Sequence, residues 1–201
     1  MPKLDARKLL KDCYTATAKP KLVEVPALMY FMMDGQGDPN ACPEFQTYVE
    51  TLYTLSYTLK FDLKKSDPEQ DYAVMPLEGL WWAESIEDFV AQNKAKWLWT
   101  LMMMQPPRLT QEQFTALQER AAAKKDLPFD QVQLAKLDGS LSAQVMHVGP
   151  FSEEGPAIQR LHEFIAEQGH VPAGKHHEIY LSDPRRTPEA KWKTIIRQAC
   201  R

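Results

Sequence analysis

The stretch His176-His177-Glu178-Ile179-Tyr180-Leu181-Ser182-Asp183-Pro184-Arg185-Arg186-Thr187 decides the reading of the chain. From 177 to 181 polar and apolar residues alternate as in a half-buried strand, with Ile179 and Leu181 on one face and Glu178 and Tyr180 on the other. Asp183-Pro184 ends the strand, because proline has no N–H to give a ladder and restricts the residue before it. A carboxylate in mid-strand beside an aromatic residue costs free energy unless it is paired or used.

Working outward, the preceding segment is a helix that begins at Pro156, turns Ile158, Leu161, Phe164 and Ile165 inward and ends near Gly169. Lys191 to Ala199 supplies the last strand. Upstream, Val132 to Leu137 and Leu141 to Val148 flank Asp138-Gly139, a hairpin signal in which glycine tolerates positive φ. Thr110 and Gln113 have capping-box spacing, which predicts a helix to about Lys125. Lys96 to Gln105 suits a buried strand, Ser85 with Asp88 caps a short helix carrying Ile86, Phe89 and Val90, and Asp71 to Leu77 is a strand leading into a turn at Gly79. Pro43 opens a long helix with Phe45, Tyr48, Val49, Leu52, Leu55 and Leu59 at helical spacing, running to about Lys60. Leu22 to Met33 is a single first strand, and residues 4–12 form a short helix within an N-terminal arm.

The predicted organisation is thus an arm over 1–20 and one domain over 21–201. The domain divides into a first module of about 21–106, a helical insertion of about 108–127 and a second module of about 130–201. Each module is a strand, a helix and two further strands, and Trp99 to Gln105 has the spacing of Trp192 to Gln198. Two such modules related by a pseudo-twofold axis give an α+β fold, an antiparallel sheet with helices on one face and a ligand groove on the other.

The chain has 201 residues, of which 44% are hydrophobic, enough for a sizeable core. With 24 Lys and Arg against 27 Asp and Glu the formal charge is −3, so no basic field invites nucleic acid or a membrane surface. Met1 to Pro20 contains no long apolar run, and a cytoplasmic protein, monomeric or weakly dimeric, is expected. Cys13, Cys42 and Cys200 are too widely spaced for a metal knuckle or redox pair and are read as plain thiols. His176 and His177 alternate across a strand and cannot both ligate one ion, so no metal is expected, and with no Gly-rich phosphate loop or dinucleotide fingerprint no other cofactor is expected either.

Several residues invite chemistry. Glu178 is either an edge carboxylate held by a salt bridge to Arg185 or Arg186, or a functional group. Glu153 and Glu154 precede a helix, where acidic side chains complement the dipole. Trp81, Trp82, Trp97 and Trp99 are core or groove wall, and the adjacent Trp81 and Trp82 must point to opposite faces of a strand. Tyr30 and Tyr180 offer phenol donors, Met103 an adaptable lining, and His147, at a strand end, a hydrogen-bonding group rather than a catalyst.

The segment 176–187, together with Pro76-Leu77-Glu78-Gly79-Leu80-Trp81-Trp82 and His147-Val148-Gly149-Pro150-Phe151, resembles the GyrI-like small-molecule-binding domain family from about Val23 to the end. The resemblance implies the two-module fold and a central pocket in which Glu178 complements cationic or polarised ligands. One branch of that family is similar to hydrolases that open the cyclopropane of alkylating natural products with a second glutamate, matched here by Glu154, although Gly155 intervenes before Pro156. On this resemblance Glu154 and Glu178 are the catalytic pair. Trp81, Trp82, Trp97, Trp99, Tyr30, Tyr180, His147 and Met103 are expected to contact an amphipathic polycyclic substrate. The alternative is a non-catalytic module that sequesters drugs or senses them; gyrase inhibition by protein contact is suggested by the family name alone.

Overall fold

The computed structural model describes residues 9–66, 71–91 and 93–201. The strands are β1 (Lys21–Val25), β2 (Leu28–Gln36), β3 (Leu77–Trp82), β4 (Leu98–Gln105), β5 (Gln133–Leu137), β6 (Ser140–Val148), β7 (Pro172–Tyr180) and β8 (Lys193–Cys200). The helices are α1 (Pro43–Ser66), α2 (Ile86–Val90), α3 (Gln111–Ala122) and α4 (Gly155–Glu167). All strand pairings are antiparallel, in the order β1-β6-β8-β7-β3-β4-β2-β5. The inner six strands read the same from either end when the modules are exchanged: β2, β4 and β3 from the first, then β7, β8 and β6 from the second. The two modules therefore meet at β3 and β7 in the centre of the sheet, and again where β1 pairs with β6 and β2 with β5.

Strand alternation assigns every side chain to a face. On the front face Phe31, Met33, Trp99, Leu101 and Met103 pack beneath α1 through Leu52, Leu55 and Leu59. Ala143, Val145 and Ile196 pack beneath α4 through Ala157, Leu161 and Ile165. Both helices owe their position to these apolar stripes. The reverse face carries a second cluster, including Tyr30, Leu80, Met102, Ile179 and Ile195, which Cys13 and Tyr14 of the N-terminal segment cover.

Three predicted elements differ. The single strand over 22–33 is two strands, broken at Pro26-Ala27, because proline cannot continue the ladder. Asp138-Gly139 does not close a hairpin: β5 pairs with β2, whereas β6 pairs with β1 and β8. The pairs Val25↔Ser140 and Leu28↔Leu137 keep one register, so β1-β2 and β5-β6 are a single long ladder interrupted at a corner. Gly139 is needed there for close approach rather than for positive φ, since a Cβ would lie 2.9 Å from Val25 O and 3.1 Å from Ala27 N. Third, the strand expected over 71–77 begins at Leu77, and Gly79 lies inside it rather than at a turn. Its missing side chain leaves room for Trp81 Nε1 and the Tyr180 hydroxyl, which a Cβ would meet at 2.7 and 3.0 Å.

The capping predictions hold in detail. Thr110 and Gln113 form a reciprocal capping box, and Ser85 accepts from Asp88 N–H. Most of the helix predicted over residues 4–12 lies outside the described residues. The rest of the arm is integrated into the sheet: Met146 N–H donates to Thr17 O at 2.8 Å, and Gln144 Nε2 donates to Asp12 O and Thr15 O at 2.7 and 2.9 Å.

Because the atoms facing Gly139 are backbone, the corner has little freedom to yield. Gly139→Ala is expected to lower unfolding free energy by about 1–3 kcal/mol, read as a lower urea midpoint at unchanged slope. A midpoint equal to wild type would show that the corner relaxes freely.

Candidate functional site

The helices α1 and α4 cover the outer strands, α1 over β2 and β4 and α4 over β6 and β8, which leaves β3 and β7 between them. From β7 the side chains of His176, Glu178 and Tyr180 rise on this front face, opposite Trp81 and Gly79 of β3. Of the residues predicted for chemistry, Glu178, Tyr180 and Trp81 therefore gather on the face that carries the helices, over the two central strands and between α1 and α4. Their floor is the junction of the modules.

Glu178 is held at both oxygens. His176 Nε2 donates to Oε1 at 3.0 Å, and the Tyr180 hydroxyl donates to Oε2 at 2.8 Å. Trp81 Nε1 in turn donates to the Tyr180 oxygen at 3.0 Å. Burial by itself raises the proton affinity of Glu178, but the bond to His176 and its charge, and then the Tyr180 phenol, outweigh it and hold the carboxyl below its ordinary range. Burial and the neighbouring Glu178 charge push the Tyr180 phenol far up, so it stays a donor.

Glu154 reaches the same place from the opposite side. A 3₁₀ turn, Phe151–Glu153, delivers it to the N-cap of α4, yet its side chain does not cap the helix. Glu153 stays exposed, in keeping with the dipole role, while Glu154 is 5% exposed and turned inward against Glu178. Burial first, and then the Glu178 charge, push its carboxyl up to about 9. Its Oε1 is sealed from solvent without a hydrogen-bond donor, and a proton on Glu154 converts the contact with Glu178 into a hydrogen bond. At neutral pH one carboxyl is therefore an acid and its neighbour a base.

Aromatic rings flank the pair. On one side Trp81 packs against Phe45 and Trp97, at centroid distances of 6.1 and 5.8 Å, and Phe89 lies 5.3 Å from Trp97 and 6.1 Å from His176. On the other, Phe151 packs 5.6 Å from Tyr180 and 4.9 Å from Trp192. Phe45, Phe89, Phe151 and Trp192 were not assigned to the site from the sequence, because they come from four separate segments: Phe151 stood in a quoted motif, and the other three read only as helix or strand residues.

The remaining predicted contacts lie elsewhere. Trp99 and Met103 are fully buried beneath α1, with Trp99 Nε1 donating to Gly37 O. His147 is buried and its Nε2 bonds Pro150 O at 2.9 Å, which steadies the turn leading to Glu154. Trp82 points to the reverse face, where Lys175 Nζ sits 3.2 Å from its ring centroid. Arg185 and Arg186 pair with Asp183 and do not reach Glu178.

Tyr30 also faces the reverse side, where it joins a group that sequence reading missed. Glu78 is 0% exposed and takes Tyr14 OH at 2.6 Å, His177 Nε2 at 2.7 Å and Tyr30 OH at 3.5 Å. Its place in the motif over residues 76–82 was an available signal, but reading Gly79 as a turn hid the strand that buries it. His176 and His177 thus serve different carboxylates on opposite faces.

A family model described as the GyrI-like small molecule binding domain matches residues 18–197. The chain belongs to this family. A crystal structure of an uncharacterised conserved protein from Listeria innocua is 38% identical, with a TM-score of 0.91 over 99% of this chain and 100% of that one. Two structures reported as a hydrolase from the same organism are each 36% identical, with TM-scores of 0.86 and 0.87; they cover 99% and 100% of this chain and 100% of their own. A search of curated proteins finds no match. Among the described residues no helix is long and apolar enough to cross a membrane.

The raised Glu154 carboxyl has a consequence for folding. Its contribution to stability is fully present below the unfolded carboxyl range and is lost as pH rises towards the folded value of about 9. Glu154→Gln removes this loss, so the variant should exceed wild type in stability by about 1–3 kcal/mol at pH 8 and by less at pH 5. Urea denaturation at the two pH values checks this, and an equal difference at both would contradict a protonated Glu154.

Proposed function

We propose that this protein binds amphipathic polycyclic molecules between the two aromatic walls and hydrolyses electrophilic cyclopropane-bearing genotoxins, with Glu154 and Glu178 as the acid and base. The observation that carries this reading is a pair of adjacent buried carboxyls with unequal partners: His176 and Tyr180 donate to both oxygens of Glu178, while Glu154 Oε1 has no donor, which favours the ionised form of the first and the protonated form of the second. The hydrolases of Listeria innocua that the chain resembles at 36% identity support a hydrolytic reaction.

In this mechanism Glu178 takes a proton from water as the water oxygen bonds to the strained ring carbon. The ring C–C bond breaks, and its electron pair moves into the conjugated carbonyl system, whose oxygen receives the proton of Glu154. The net change is the addition of one water. Proton transfer between the carboxyls then restores both, and positioning by the aromatic walls lowers the entropic cost of the encounter. Loss of the ring removes the alkylating centre.

A second reading, binding without turnover, is favoured by the full occupation of Glu178 by His176 and Tyr180, which suits a fixed counter-charge for a cationic drug. Mass spectrometry of a cyclopropane-containing polycycle incubated with wild type and Glu178→Gln separates the two. The hydrolase reading predicts a gain of one water with wild type and a loss of about 100- to 10,000-fold in turnover for the variant. Intact compound with tight binding in both samples would make the protein a sequestering module.

The same pair sets a pH profile. Turnover should fall on the alkaline side near pH 9, as Glu154 loses its proton, and on the acid side below the ordinary carboxylate range, as Glu178 gains one. A profile flat through pH 9 would remove Glu154 as the acid.

A further inference from the structure

Among the described residues four buried side-chain polar atoms have no hydrogen-bond partner: Trp97 Nε1, Glu154 Oε1, Thr194 Oγ1 and Arg197 Nη1. Buried polar atoms are nearly always paired, so each exception asks for a reason. Two of the four are neighbours. Thr194 on β8 is 1% exposed and stands on the front face, paired with His147 of β6 and Tyr180 of β7. Its hydroxyl lies against the Glu154 carboxyl without completing a bond of good geometry. The elements around it are rigid: His147 fixes the turn through Pro150 O, and Tyr180 is fixed by Trp81 and Glu178.

A hydroxyl in this position has little to do while Glu154 is neutral, because the acid directs its own proton at Glu178. The situation changes when the proton leaves. Two buried carboxylates then face each other, and the charged groups around Glu154 are Glu178 on β7 and Lys94 on the turn before β4, with Tyr180 and His176 on β7, His147 on β6 and His162 on its own helix nearby. Of these, Glu178 opposes the new charge and Lys94 favours it from the outside. Thr194 is the buried hydroxyl next to it.

We propose that Thr194 is a positioning residue for the acid step, its hydroxyl rotating to donate to the Glu154 carboxylate as that group gives up its proton. The inference rests on Glu154 acting as the acid in the proposed reaction. It assigns to Thr194 the role of stabilising a charge that exists only after transfer, an interaction stronger in the transition state than in the ground state. It also explains a polar side chain at a buried strand position where valine would fill the same volume.

The direct test is a titration of side-chain-labelled [13C]glutamate protein by NMR, comparing wild type with Thr194→Val and Thr194→Ser. The valine variant should shift the Glu154 transition up by about one pH unit, by loss of a hydrogen bond to the charged form, while serine restores it. In parallel, the alkaline limb of kcat/KM should move up with valine and kcat should fall about tenfold, with KM unchanged and serine again restoring both. Should valine disturb packing, Thr194→Ala gives the same comparison through a smaller side chain. An unmoved Glu154 transition in the valine and alanine variants would overturn the proposal, even with turnover intact. Absence of turnover in wild type would defeat the hydrolase reading instead, while the titration would still decide whether Thr194 stabilises the Glu154 charge.

Discussion

The pairing of β3 with β7 is the contact on which this structure depends, because it joins the two modules at the centre of the sheet and buries carboxylates on both sides of it. The residue pairs Glu78↔Ile179 and Gly79↔Glu178 place one glutamate behind the sheet and another in front of it within a single step of the ladder. A buried carboxylate is tolerated only with close partners, and each has its own. Glu78 is enclosed by Tyr14, Tyr30 and His177, Glu178 by His176 and Tyr180. Adjacent residues of β7 thus serve opposite faces, and the rear group secures the strand whose front carries Glu178.

The difference between Glu154 and Glu178 follows from their surroundings rather than from the residues themselves. Both are removed from water, which raises the proton affinity of either. Only Glu178 has donors aimed at both oxygens, and once it is ionised its charge reinforces the neutral state of Glu154. Like charges at close range divide the pair into acid and base in the way that two coupled carboxyls do elsewhere. The aromatic rings add to the division by excluding water from around the pair.

The N-terminal segment belongs to this arrangement. Tyr14 reaches Glu78, and Arg197 of β8 donates to Cys13 O and to Gln144, so the segment is tied to the strands of the second module as well as to β3. Its polar, irregular sequence reads as an arm because its contacts are individual side chains and carbonyls, without the periodicity that marks a helix or strand.

Much of the fold follows from the sequence alone, because the signals that specify it are local: the apolar spacing of α1 and α4, the capping residues of α2 and α3, and the alternation through Glu178 depend on neighbours a few residues away. The same locality, with the motif around 176–187, led to Glu178 and to its aromatic companion Tyr180. Partner choice is not local. Asp138-Gly139 has the composition of a hairpin turn, yet its flanking strands find β2, β1 and β8, and only the assembled sheet could decide that. Alternation separates Trp81 from Trp82 but cannot say which one meets the carboxylates. Nor can it bring Phe151, Trp192, Phe45 and Phe89 to the site, or place Glu78 against Tyr14 across 64 residues of chain. Those contacts, and the unequal proton affinities they create, arise from tertiary packing, because burial and through-space charge act between residues that the sequence keeps far apart.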